Sequence, residues 1–115
     1  MKTLITDEQR AQLLANGQAR VDGRQLDPQP VVKLFTLDAH VTWLLTELNP
    51  IDGDTLFGLC DLGLGMPELG TVRLSDLEAI RGPLNLPVER DLHFTPRRTL
   101  SEYVRLAQAD GSIND

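Results

Sequence analysis

Four apolar runs, Val31–Thr36, Val41–Leu48, Thr55–Leu62 and Leu69–Leu74, follow one another with only short breaks between them. The breaks are Leu37-Asp38-Ala39-His40, Asn49 to Asp54 and Gly63 to Glu68. None is long enough for the crossover of a dozen or more residues that two parallel strands require. Antiparallel pairing of sequence neighbours remains, so the middle of the chain is expected to be a meander. A fifth run, Val88 to Phe94, alternates: Val88, Arg90, Leu92 and Phe94 point one way, Glu89, Asp91 and His93 the other. That marks a strand with one wet face. It follows a helical segment, so its pairing direction stays open.

Three segments carry the same helix-start device. Thr6-Asp7-Glu8-Gln9, Ser75-Asp76-Leu77-Glu78 and Thr99-Leu100-Ser101-Glu102 each place a Glu or Gln three residues after a hydroxyl. That spacing lets each side chain satisfy the other's free backbone amide. The first helix is expected to stop at Asn16-Gly17, the second at Gly82-Pro83 and the third near Asp110-Gly111. Leu100, Tyr103, Val104 and Ala107 repeat at the spacing of one buried helical stripe. Gln18 to Pro30 is polar and holds Pro28 and Pro30, so it reads as an extended connector. The expected fold is α+β: a mainly antiparallel four- to five-stranded sheet with about three short helices packed on one face. At 115 residues the chain is expected to form a single globular domain, 1–115.

The charge is unevenly placed. The chain has 17 acids and 11 bases, a formal net charge of -6. Such a balance argues against direct binding to nucleic acid or to an anionic membrane, which calls for a basic patch. From Leu34 to Val72 there is no Lys or Arg, yet six of the acids fall there: Asp38, Glu47, Asp52, Asp54, Asp61 and Glu68. Aspartates in turns are favoured for their backbone hydrogen bonds. The sharper reading is an acidic surface that meets a basic protein. No apolar run nears the ~20 residues that cross a bilayer. Met1 to Ile5 is too short for a leader's apolar region, and Asp7, Glu8 and Arg10 follow at once. A lone cysteine, Cys60, excludes an intrachain disulfide and suits a reducing cytoplasm.

Few groups suit catalysis. Glu47 and Asp61 stand inside apolar strands, and a partly desolvated carboxylate can serve as a general acid or base. If Asn49 to Asp54 forms the hairpin loop, Leu48 faces Thr55, Glu47 faces Leu56 and Asp61 faces Thr42. The two acids then lie about 16 Å apart on opposite faces, too far for a dyad. His40, His93 and Cys60 lack metal-ligand spacing, and Asp52-Gly53-Asp54 lacks the rest of a calcium loop, so no metal and no cofactor are expected. The glycines of Gly63 to Gly70 fit a tight turn better than a phosphate loop, since a strand follows instead of a helix. Cys60 reads as a buried, inert thiol. Arg81, Arg90, Arg97, Arg98 and Arg105 are interleaved with acids and read as surface ion pairs.

Several strings resemble a known family. They are Leu13-Leu14-Ala15-Asn16-Gly17, Pro30 to Thr36, Thr42 to Leu48, Phe57 to Gly63, Pro67-Glu68-Leu69-Gly70 and Glu89-Arg90-Asp91. Together they make the chain similar, from about Leu13 to Ile113, to small bacterial proteins catalogued as domain of unknown function 2958. The resemblance implies a cytoplasmic bacterial protein, often encoded on plasmids and integrated mobile elements. It brings no activity and no catalytic residues. The expected function is therefore a non-enzymatic protein-interaction module with an acidic recognition surface, made by Asp38, Glu47, Asp52, Asp54, Asp61 and Glu68 with Trp43 among them. A specific form is counter-defence, with carboxylates imitating DNA phosphates. The alternative is a small hydrolase or transferase using Glu47 or Asp61 in a cleft with Trp43 nearby. A homodimer, with the acidic strands of one copy against the arginines of another, is a further possibility.

Overall fold

The computed structural model describes residues 3–115. Met1 and Lys2, part of the stretch read above for a leader, lie outside the described residues. The elements run α1 (Asp7–Val21), β1 (Val32–Thr36), β2 (Thr42–Leu48), β3 (Thr55–Asp61), β4 (Glu68–Arg73), α2 (Leu74–Ala79), β5 (Val88–Arg90) and α3 (Leu100–Asp110). The five strands form one antiparallel sheet in the order β4-β3-β2-β1-β5. The fold is α+β and the meander forms as expected, because three short connections leave each strand no partner but its neighbour. The open question of β5 resolves as antiparallel pairing with β1.

The helices do not share one face. Leu13, Leu74 and Leu77, from α1 and α2, pack with Val32, Leu34, Trp43, Leu45, Leu48 and Leu56 on one side of the sheet. Leu100, Tyr103 and Ala107 of α3 pack with Leu44 and Leu59 on the other. The reason lies in β2, where Trp43-Leu44-Leu45 is apolar without alternation and every residue from Trp43 to Leu48 is buried. A strand apolar on both faces needs a layer on each. Each fully buried leucine contributes about 2 kcal/mol of burial.

Other expectations are corrected locally. Helix α1 continues four residues past Gly17, to Val21. Gly17 is buried mid-helix, where a Cβ would be driven into the carbonyl oxygen of Leu48. Its missing side chain allows helix and strand to approach, and the polar connector begins only after Val21. Ser75 does not cap α2, which starts at Leu74 and ends at Ala79. The Ser75 amide and hydroxyl instead donate to Asp54, at 2.9 and 2.7 Å. At α1 and α3 the expected capping boxes form. Strand β5 stops at Arg90, because the Asp91 side chain accepts the His93 amide and turns the chain. Leu92, expected to face inward, is exposed.

One register shift matters most. At its far end β2 pairs with β3 as expected, Thr42 opposite Asp61. Between Leu45 and Glu47 a bulge intervenes, so Glu47 faces Phe57, and Leu48 faces Leu56. Thr46 is the extra residue. A bulge moves every later side chain to the other face of the sheet.

Gly17→Ala is expected to lower stability by about 1–3 kcal/mol, since the new methyl must separate α1 from β2. Urea unfolding followed by circular dichroism checks this; an unchanged midpoint would mean that the close approach bears no strain.

Candidate functional site

The bulge determines what surrounds Glu47. It turns this side chain away from Trp43, which packs with Leu45 and Cys60, and toward the Phe57 face. There Arg20, from the last turn of α1, clamps it. Arg20 Nε and Nη2 donate to the two carboxylate oxygens at 2.6 and 2.7 Å. The same guanidinium lies 5.7 Å from the centre of the Phe57 ring, within cation–π range. Glu47 is only 4% exposed, while the Arg20 side chain is 48% exposed. Pairing raises the Arg20 pKa: the Glu47 hydrogen bonds outweigh the opposing effect of burial. Asn16, one turn before Arg20, donates to the carbonyl of the bulged Thr46 at 2.9 Å. Helix α1 thus fastens the bulge at two points. A cleft of about 360 Å³ opens beside the pair, walled by Val21, Pro50, Phe57 and Thr71.

Asp61 now shares a face with Glu47 and Phe57, not the opposite face expected from an unbulged register. Four strand positions still separate it from Phe57, about 13 Å, so the two carboxylates form no dyad. Asp61 is buried, and its oxygens accept the amides of Gly63 and Ile113 at 2.9 and 3.0 Å. It ties the C-terminal tail to the end of β3.

The other acids are spread between the two ends of the sheet. Asp52 and Asp54 lie with Glu47 at the β2–β3 turn; Asp38 and Glu68 lie toward the Asp61 end. Asp52 accepts the amides of Asp54 and Thr55 and the Thr55 hydroxyl. These bonds, the hydroxyl's foremost, push its pKa down to about 2. Asp54 is lowered as well, first by the Ser75 hydroxyl and amide and then by Arg73. Asp38 accepts the Leu84 amide at 2.7 Å and presses against Gly82. Five of the six acids are therefore engaged in organising backbone or paired with an arginine. Glu68 remains exposed on β4.

Glu68 stands beside a surface feature that the charge pattern did not point to. A groove of about 400 Å³ runs along β4, with Trp43 and Cys60 beneath and Leu62, Leu64, Met66, Leu69 and Ile80 around it. Leu64 and Met66 are more than three-quarters exposed, and Leu62 and Leu69 about half. Among the described residues Glu68 is the one charged residue in its lining. The signal was present in the sequence: Leu64 and Met66 occupy a glycine-rich turn, where polar residues are the norm. Arg20 left no such signal, because its partner is 27 positions away. Cys60, half-buried in the groove, has its thiol pKa raised by burial and then by the charge of Glu68. Among the described residues no three His, Cys, Asp or Glu side chains come together at a metal-sized site. No helix among them is long and apolar enough to cross a membrane.

A family model described as "Protein of unknown function (DUF2958)" matches residues 4–114. The chain belongs to the DUF2958 family. No curated protein and no solved structure matches it. Both the Arg20–Glu47 pair and the β4 groove of this DUF2958 protein lie within the matched residues.

Two outcomes follow from this geometry. Arg20→Met is expected to cost about 2–3 kcal/mol by stranding the Glu47 carboxylate, with adding Glu47→Gln recovering at least half. A double-mutant cycle in urea reads this, and additive losses would contradict it. For Asp52 the folded pKa is depressed, so its contribution is present above the unfolded value, about 4, and is lost as pH falls toward about 2. Asp52→Asn should therefore flatten the pH dependence of stability between those limits. Unfolding midpoints from pH 2 to 6 check it; parallel curves for both proteins would refute the assignment.

Proposed function

We propose that this protein is a non-enzymatic interaction module and that its contact surface is the groove along β4. The observation that carries this reading is a continuous exposed apolar surface on a small domain whose core is already complete. Contiguous patches of this kind mark interaction sites. The chemistry of the partner follows from the charge. Among the described residues the groove holds Glu68 and no cation, and the whole stretch from Leu34 to Val72 lacks Lys and Arg. A partner with apolar side chains and a basic flank fits this surface, and the overall charge of -6 favours its approach. The bacterial, cytoplasmic setting on a plasmid or integrated mobile element, implied by the sequence resemblance, belongs to this proposal.

Imitation of DNA charge has less support. It calls for an array of free carboxylates, whereas most of the acids here serve turns and two arginine pairs. The hydrolase or transferase reading has its concave pocket beside Glu47. Against it, Arg20 occupies both Glu47 oxygens, Asp61 is held by amides, and Trp43 is on the other face.

Comparative capture from a bacterial lysate tests the interaction reading with wild-type protein, Met66→Asp and Glu68→Lys. Wild type should retain a partner that Met66→Asp loses. Glu68→Lys should weaken its retention several-fold at low salt, with a smaller difference at high salt. If all three proteins retain the same set, the groove is not the contact surface.

A further inference from the structure

Resting on the interaction reading, we infer that the partner docks as an extended strand added along the outer edge of β4. The two ends of the sheet are built differently. At one end β5 has three residues, and the chain leaves it at once through the Asp91 turn. Arg90 there donates to the carbonyls of Thr3 and Leu4, holding the N-terminal segment nearby. Short, covered edges are the usual protection against unwanted strand pairing.

The β4 end has no such protection. Strand β4 has six residues, contains no proline and pairs without a bulge from Glu68 to Arg73. Among the described residues no strand lies beyond it. Alternate backbone groups along that edge therefore face outward, ready for a ladder. An inward lysine, a common edge guard, is absent; the one cation on the strand, Arg73, is paired with Asp54 at 3.1 Å.

Gly70 adds an independent observation. A glycine weakens a strand interior unless something needs its space. Here the sheet does not: a Cβ at Gly70 would meet only Cys60 Sγ, at 3.8 Å, an ordinary contact. Gly70 leaves the middle of the edge open on the same face as Glu68 and Val72, where the groove lies. An added strand would drop alternate apolar side chains into that groove, and a Lys or Arg flanking them would reach Glu68. Backbone bonds supply affinity in this mode and the alternate side chains supply selectivity.

The test uses capped heptapeptides of the pattern Lys-Thr-Val-Thr-Ile-Thr-Lys, which set the apolar side chains and the flanking lysines on one face, and the same peptides N-methylated at every second residue. Binding to the full chain is read by fluorescence anisotropy, and hydrogen exchange of the β4 amides by NMR. The inference expects the parent peptides to bind, outward β4 amides to exchange at least ten-fold more slowly, and N-methylation to weaken binding at least ten-fold. Equal binding of parent and N-methylated peptides, abolished for both by Met66→Asp, overturns strand addition while leaving the groove as a docking surface. Absence of binding by any peptide, or binding unaffected by Met66→Asp, overturns both readings. A concentration-dependent dimer with protected β4 amides in the protein alone assigns the edge to a second copy and overturns the basic strand as its occupant.

Discussion

Thr46 has no opposite number in β3, and the carbonyl it presents accepts a hydrogen bond from the Asn16 side chain of α1. Much of the molecule depends on this insertion. Without it, Glu47 would lie on the Trp43 face, within the larger apolar cluster and away from Arg20. With it, the carboxylate emerges on the Phe57 face within reach of the last turn of α1. Leu48 returns to the face where Leu13 and Leu56 complete the core. Gly17 then lets α1 approach the end of β2 closely enough for Asn16 and Arg20 both to reach it. Helix, bulge and ion pair form one device; removing any part leaves a buried polar group without its partner.

Five of the six acids in the middle of the chain have a structural role in the fold. Asp52 and Asp54 shape the β2–β3 turn and the start of α2, Asp61 anchors the tail, and Asp38 holds the amide of Leu84. Short carboxylates are suited to this work because they accept two or three bonds from nearby amides and hydroxyls. The proposed contact surface accordingly moves from the aspartates to β4. There a single exposed glutamate borders apolar side chains that no element of the fold covers. Leu64 and Met66 contribute nothing to either buried cluster, which distinguishes them from the leucines beneath.

Much of the architecture was legible along the chain because it is local. The strand runs, their short connections, the capping boxes at Thr6 and Thr99, and the stripe of Leu100, Tyr103 and Ala107 depend on residues a few positions apart. The antiparallel meander followed from those features, and the wide spacing of Glu47 and Asp61 along the strands followed from strand geometry, while their expected placement on opposite faces did not survive the bulge. Where local signals failed, a distant group had displaced them in two cases and a neighbouring turn in the third. Asp54 took the Ser75 hydroxyl, Leu48 made Gly17 a contact residue instead of a helix stop, and the Asp91 turn ended β5 after three residues.

The sequence by itself determined which of the four middle strands pair and in which direction, since connection length and side-chain period act over short distances; the partner and direction of β5 it left open. Only the tertiary structure decided which face each later residue of β2 presents, which cation meets Glu47, and which edge of the sheet stays open. Those outcomes turn on one unpaired residue and on contacts across 27 or more positions. A pattern of period two carries no mark of the point at which it slips, and the chain closes such distances only when helix and sheet have packed.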